Sequence, residues 1–387
     1  MMGRREFLWN SALAASAAAS VGAANSGGKQ KIRCGILGLG HAHALDVLGV
    51  LKGSADFDLA GVCEPDTAVR AQVEKSPALK RVPWVDQAQL LSDESIKMIA
   101  VESSVPQLLE HAQAAADAGK HIHLDKPAGA SLPPFRALLD TIEQRGLLLQ
   151  MGYMFRYNAG FDLARRVVSE ALLGDRLPGG IYRIHGCMDT DYTQEKRGLL
   201  AGRPGGMMFE LGCHLLDITM LILGAPKKVT PILRHDAKAG DNLLDNTAAI
   251  FEFEKAMAII ESSAMRPNAF PSRRFEICGT NGSVTIEPLE PPSVTLNLRQ
   301  ASGEFKKGIQ QIPVPDYDRH VRDFEDFARC PRRIPIRLHQ TTRLRGPTRA
   351  FTGEWKLRVD VQSDDKRLNR QLAGSHVRLN LSTWPDQ

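Results

Sequence analysis

The sequence predicts an α/β protein: an N-terminal parallel sheet flanked by helices, then a C-terminal α+β domain with a large, mostly antiparallel open sheet. Three observations lead there. A buried strand, a glycine turn and a helix start follow one another between Lys31 and Val50; short apolar runs alternate with amphipathic stretches as far as Met151; beyond Gly152 the apolar pattern shifts to a period of two. At 387 residues the chain has room for two cores.

Residues 1–30 join Arg4-Arg5 to a short alanine-rich run and then to small residues that suit cleavage near Ala23 or Ala24. This is the pattern of a twin-arginine export signal and linker, and it implies a periplasmic or other extracytoplasmic address. The apolar run is short for a membrane span, and no later stretch reaches the roughly eighteen consecutive apolar residues a span needs, so no stable membrane insertion is expected. The formal charge of +5 comes from residues 331–387, which hold twelve Lys and Arg against five Asp and Glu. The rest of the chain is slightly acidic, which argues against a nucleic-acid partner. The six cysteines have no C-x-x-C spacing and lie mostly in apolar stretches, as core fillers do.

In residues 31–151, Ile32, Cys34, Ile36 and Leu37 form the first strand. Gly38 permits a sharp turn, and Gly40 lets the backbone approach a pyrophosphate seated over the free N–H groups of the next helix. His43 stands at the third glycine position of G-x-G-x-x-G. A second strand, Phe57 to Cys63, ends in Glu64, about where a Rossmann dinucleotide-binding domain carries its ribose-binding carboxylate. A carboxylate there repels a 2′-phosphate, which favours NAD over NADP. Leu39, His41 and Ala42 in the turn and Ser103 after the third strand complete the expected cradle. His41 and His43 alternate at a helix start without carboxylates at ligand spacing in the sequence, so no metal site is expected. Strands at Lys97–Val101, His121–Leu124 and Leu147–Met151 alternate with helices at Val105–Ala118 and Pro133–Arg145. Ligands of such sheets bind beyond the carboxyl ends of the strands.

In residues 152–330, a helix is expected over Phe161–Leu173, with strands at Gly180–Gly186, Thr247–Phe253, Ala256–Ser262 and Arg274–Cys278. The Gly279-Thr280-Asn281-Gly282 turn suits a hairpin. An open sheet of this kind can also supply a subunit interface, so a homo-oligomer is expected.

The segment Ala118–Gly129 ends a helix, runs through a strand and delivers Asp125-Lys126-Pro127 at its carboxyl end. With the glycine turn and Glu64 it resembles the Gfo/Idh/MocA family, whose usual motif is Glu-Lys-Pro. A second diagnostic stretch of that family, G-G-x-x-x-D-x-x-x-H-x-x-D, is matched by Gly205–Asp217, with Glu210 where the family usually has Asp and with His214 and Asp217 in place. The resemblance covers about Lys31 to Arg329. It implies an NAD(P)-dependent oxidoreductase acting on a sugar or polyol hydroxyl, with Asp125, Lys126 and Pro127 at the cofactor.

Removing a hydride from a secondary alcohol requires a base at the hydroxyl and a positive group beside the developing alkoxide. His214 is the expected base and Lys126 the expected electrostatic stabiliser. Glu210, four residues before His214, would share a helix face with it and orient the ring; Asp217 would lie near the same face as a fourth catalytic candidate. Arg156 and Tyr157, in the Gly152–Asn158 run where the chain leaves the nucleotide domain, are candidate substrate contacts, although packing at the domain junction would also account for Tyr157. An NAD-dependent glycosidase, which oxidises a sugar carbon transiently and returns the hydride, is an alternative within the family. A non-catalytic nucleotide or sugar sensor is the alternative outside it.

Residues 331–387 break the pattern. The segment is Arg-rich and lacks helical periodicity, where the family closes with a turn and a helix packed on the nucleotide domain. It reads either as a basic tail, disordered or partner-binding, or as the product of a reading-frame slip near codon 331.

Overall fold

The computed structural model describes residues 30–174 and 180–333. The expected export signal and nearly all of the expected basic tail lie outside the described residues.

Strand β1 (Ile32–Leu37) leads through the glycine turn into helix α1 (Ala44–Gly53), followed by β2 (Phe57–Cys63), α2 (Thr67–Val73), α3 (Gln87–Ser92) and β3 (Met98–Val101). Helix α4 (Val105–Asp117), β4 (His121–Leu124), α5 (Leu132–Arg145) and β5 (Leu149–Met151) complete the unit. The five strands pair in parallel in the order β2-β1-β3-β4-β5. Neighbours change direction in sequence between β1 and β3, which opens a crevice at their carboxyl ends. Cys34, Ile36 and Leu37 are fully buried, because a central parallel strand has helices on both faces. Helix boundaries follow local chemistry. Asp66 and Asp86 accept N–H bonds at the starts of α2 and α3, and α5 ends on Gly146 in the left-handed conformation.

The second unit starts with α6 (Ala159–Ser169), which begins two residues and ends four residues earlier than expected. Asn158 sets the start by accepting N–H bonds from Gly160 and Phe161. Strand β6 (Ile181–Cys187) and α7 (Gln194–Leu200) follow, then a π-helical turn at Met208–Gly212 that runs into α8 (Cys213–Leu223). Strands β7 (Lys228–Arg234), β8 (Asn246–Glu252), β9 (Met257–Ser263), β10 (Arg274–Gly279), β11 (Gly282–Ile286), β12 (Val294–Leu298) and β13 (Gly308–Ile312) complete an eight-stranded sheet ordered β13-β12-β11-β10-β6-β9-β8-β7. Only the β6–β9 pair is parallel. One face takes up α6 and α8 through Phe161, Leu215, Ile260 and Phe275; the other leaves Ile232, Ile250 and Met257 exposed.

The last described element, helix α9 (Val321–Arg333), is absent from the expected elements. It returns to the first sheet, where Phe324, Phe327 and Ala328 join Ile36, Val47 and Phe57 in one buried cluster. The Phe57 and Phe324 rings meet edge to face at 5.8 Å. Among the described residues no disulfide forms, four of the six cysteines are buried, and no helix is long and apolar enough to cross a membrane.

Candidate active site

The glycine turn closes β1 against the loop that follows β3. Gly38 has φ +84°, and a Cβ there would lie 2.5 Å from the Ser103 Cα; a Cβ on Gly40 would lie 3.0 Å from the Ser104 nitrogen. Both glycines are therefore required by close backbone approach. Leu39 donates its N–H to the Glu64 carboxylate at 2.5 Å, and Asp66 N–H occupies the other Glu64 oxygen at 2.8 Å, which fixes the carboxylate at the end of β2. His41 N–H bonds the Glu102 carbonyl. Among the described residues, the N–H groups of Gly40 and Ala42 meet no protein acceptor, so donors remain ahead of α1 for phosphate oxygens. This fits a dinucleotide. Ser103, expected at the cradle, instead turns its hydroxyl inward to the Leu37 carbonyl and the His111 Nδ1.

Asp125, at the end of β4, lies under the turn. Its Oδ2 is 2.7 Å from His41 Nδ1 and 2.9 Å from His43 Nδ1, and its Oδ1 accepts the Lys126 N–H at 2.6 Å. The argument that these histidines lack a carboxylate at ligand spacing is thus corrected, because folding brings one across 82 residues of chain. Burial opposes the Asp125 charge, but His41 and His43 outweigh it and hold the carboxyl well below its usual range. Burial, followed by the charge of Asp125, pushes the adjacent Glu102 carboxyl well up. Behind them, His123 Nε2 lies 3.2 Å from Asp323 on α9, and His123 Nδ1 lies 3.6 Å from Glu102. None of Glu102, His123, Asp323 and His320 was expected at the site; they arrive from the end of β3, from β4, from α9 and from the residue before α9.

Lys126 is buried, and its ammonium donates to the carbonyl and to the Oε1 of Glu210, both at 3.2 Å. Glu210 Oε2 takes Arg203 at 3.2 Å. Burial favours neutral forms of both partners, yet the pair wins: Lys126 is raised above its ordinary range, and Glu210 is held down to about 2. His214 is 2 % exposed, packed against Phe155 and Tyr153, and its Nδ1 has no hydrogen-bond partner among the described residues. Burial, reinforced by Lys126, lowers the ring well below its usual pKa, so it is neutral. The expected Glu210–His214 contact does not form. The two sit across the π-helical turn, where the wider winding takes residues four apart off a common face.

Two further expectations are corrected. Arg156 does not present a free guanidinium to a substrate; it grips Asp217 in a two-pronged bond at 2.7 and 2.5 Å, which occupies both Asp217 oxygens. Tyr157 donates its hydroxyl to Asp326 at 2.9 Å and accepts from Gln150 at 3.2 Å, anchoring α9. Both bonds use partners remote in sequence, which local pattern does not reveal. Of the candidates, the fold gathers Gly38, Leu39, Gly40, His41, Ala42, Glu64, Asp125, Lys126 and Pro127 at the carboxyl end of the first sheet, with Glu210 and His214 facing them from the second unit. Arg203, on Glu210, was missed, since an arginine in a loop carries no local signal.

Comparisons with known proteins agree with the two-unit fold. A family described as an oxidoreductase family with an NAD-binding Rossmann fold matches residues 32–153, and the GFO/IDH/MocA C-terminal domain matches residues 163–285. A scyllo-inositol 2-dehydrogenase (NAD(+)) of Bacillus subtilis is 23 % identical over 316 residues, covering 79 % of this chain and 87 % of its own. A D-xylose 1-dehydrogenase (NADP(+)) of Haloferax volcanii is 24 % identical, covering 76 % and 88 %. In fold, the chain is similar to a UDP-N-acetylglucosamine 3-dehydrogenase from Acidithiobacillus ferrooxidans, with a TM-score of 0.63, 19 % identity and coverage of 78 % and 90 %. Two family domains in the right order, on a Rossmann sheet and an open antiparallel sheet, establish that the chain belongs to the Gfo/Idh/MocA family of NAD(P)-binding oxidoreductases.

Proposed function

We propose that the protein transfers a hydride between a sugar or polyol hydroxyl carbon and a tightly held nicotinamide cofactor, with Lys126 as electrostatic stabiliser and His214 as general base. The observation that carries this reading is the opposite tuning of two buried cations-to-be: Glu210 keeps Lys126 charged, while burial keeps His214 neutral. A neutral imidazole accepts the hydroxyl proton, and a fixed ammonium stabilises the oxygen left behind. The cofactor supplies the hydride acceptor. Glu210 and Arg203 act as positioning residues for Lys126, and the Arg156–Asp217 pair holds the segment from which Tyr153 and Phe155 wall the His214 ring.

NAD is the proposed cofactor over NADP, since a carboxylate in the position of Glu64, just after β2, would repel a 2′-phosphate. The proposed domains are 31–151 for the cofactor and 152–330 for the substrate. We also propose twin-arginine export, on Arg4-Arg5 and the alanine-rich run that follows. Relatives acting on inositol and xylose point to the substrate class. The test is to acid-quench the purified protein, identify and count released nucleotide by mass, and then screen sugars and polyols for net NADH formation. Near-stoichiometric NAD(H) and a polyol-dependent signal abolished by Lys126→Ala support the proposal. An empty protein, or sugar release without NADH accumulation, overturns it, the latter in favour of the glycosidase.

A further inference from the structure

We propose that His41, His43 and Asp125 form a binding site for a divalent first-row transition metal ion, independent of the hydride-transfer reading above. One ring nitrogen of each histidine and one Asp125 oxygen all lie within 4.8 Å of one another. The rings of His41 and His43 stand edge to face at 4.7 Å, so both nitrogens converge on the same carboxylate oxygen.

Two imidazoles and a carboxylate are the donor set of zinc, iron and cobalt sites; magnesium and calcium prefer oxygen alone. The Nδ1 to Oδ2 separations of 2.7 and 2.9 Å are shorter than the roughly 3.3 Å between ligand atoms of a tetrahedral site with bonds of about 2.0 Å. Entry of the ion therefore needs an opening of about half an ångström, within the rotation of two side-chain rings. Ligation requires both histidines neutral, with the ring proton on Nε2 and the Nδ1 lone pair turned to the cation; His41 Nδ1 already acts as an acceptor, taking the His43 N–H at 3.2 Å.

A second observation points at the same place. Glu102 is completely buried; its Oε1 stands 3.6 Å from His123 Nδ1 and its Oε2 3.9 Å from His41 Nδ1, both beyond hydrogen-bond reach among the described residues. On the other flank His320, 1 % exposed, has both ring nitrogens unpartnered, and its ring lies 4.9 Å from that of His43. Buried polar atoms without partners are few in native proteins and call for an occupant. A cation between Asp125 and the histidines gives Glu102 or His320 a fourth coordination position to fill.

The experiment strips the full-length protein with a chelator, dialyses it against zinc, and counts retained metal; a parallel sample is loaded with cobalt for visible spectroscopy. One zinc per chain is expected, with cobalt d–d bands free of thiolate charge transfer. His43→Ala, at a half-buried turn position, should weaken retention at least about tenfold. Retention well below one ion per chain overturns the proposal. So does unchanged retention in His43→Ala, or a thiolate charge-transfer band, which would place the ion at cysteines. If His43→Ala fails to fold, the cobalt spectrum of the unaltered protein still decides.

Discussion

Glu210 meets Lys126 twice, through its main-chain carbonyl and its carboxylate, so one residue of the second unit sets both the position and the charge of a residue on the first. Removing the carboxylate leaves a buried ammonium without its counter-charge. Glu210→Gln is expected to lower stability by about 3–5 kcal/mol and to reduce turnover. Glu210→Asp, which keeps the charge but shortens the reach, should lose less of both. Urea unfolding and NADH formation by the three proteins check this.

His214→Asn should reduce turnover by roughly 10²- to 10⁴-fold while leaving bound nucleotide unchanged. Because the native ring sits well below 6.5, protonation of His214 can limit the rate only on the acid side of that value. A rate falling through neutral pH with a midpoint at or above 6.5 would assign the base elsewhere.

His123 provides a pH signature of folding. Burial alone would depress it, but Asp323 and then Glu102 raise it to about 10. A raised folded-state pKa contributes stability in full below the unfolded value of about 6.5, and loses it as pH rises toward about 10. The melting temperature should therefore fall more steeply across that window than in His123→Asn. Parallel slopes would count against the pairing.

Gly38→Ala places a methyl group against the Ser103 backbone at a φ that side chains resist. A loss on the order of 1–3 kcal/mol and a largely nucleotide-free protein are expected. Thermal melts with and without added NAD test both at once.

Phe327→Ala empties part of the cluster shared by α9 and the first sheet, at a cost of about 3–5 kcal/mol. The measurement is denaturant unfolding. A change under about 1 kcal/mol would show that α9 does not complete the first core.

Much of the first unit was legible because it depends on local pattern. The apolar run of Phe57–Cys63 and the Gly38–Gly40 turn are fixed by short-range chemistry, and strand and turn form where expected. Spacing misled at Glu210 and His214, because the i,i+4 rule assumes an α-helix and a π-helical turn intervenes. Asp125 beside His41 and His43, and Asp217 beside Arg156, were hidden for a different reason. Those pairs are made by the meeting of strand ends and loops, and no local periodicity encodes a partner dozens of residues away. Helix α9 escaped notice since it is short, largely polar, and borrows its apolar partners from β1, α1 and β2.

Helix α9 also imposes a schedule on synthesis. The ribosome delivers β1 to β5 first, but Phe57 finds Phe324 and Phe327 only after about 270 further residues have been added. At about 5–20 residues per second, the nascent first unit waits on the order of ten seconds or more with that apolar surface uncovered. A nascent chain stopped before residue 320 therefore leaves that flank of the first core uncovered to the chaperones that meet it.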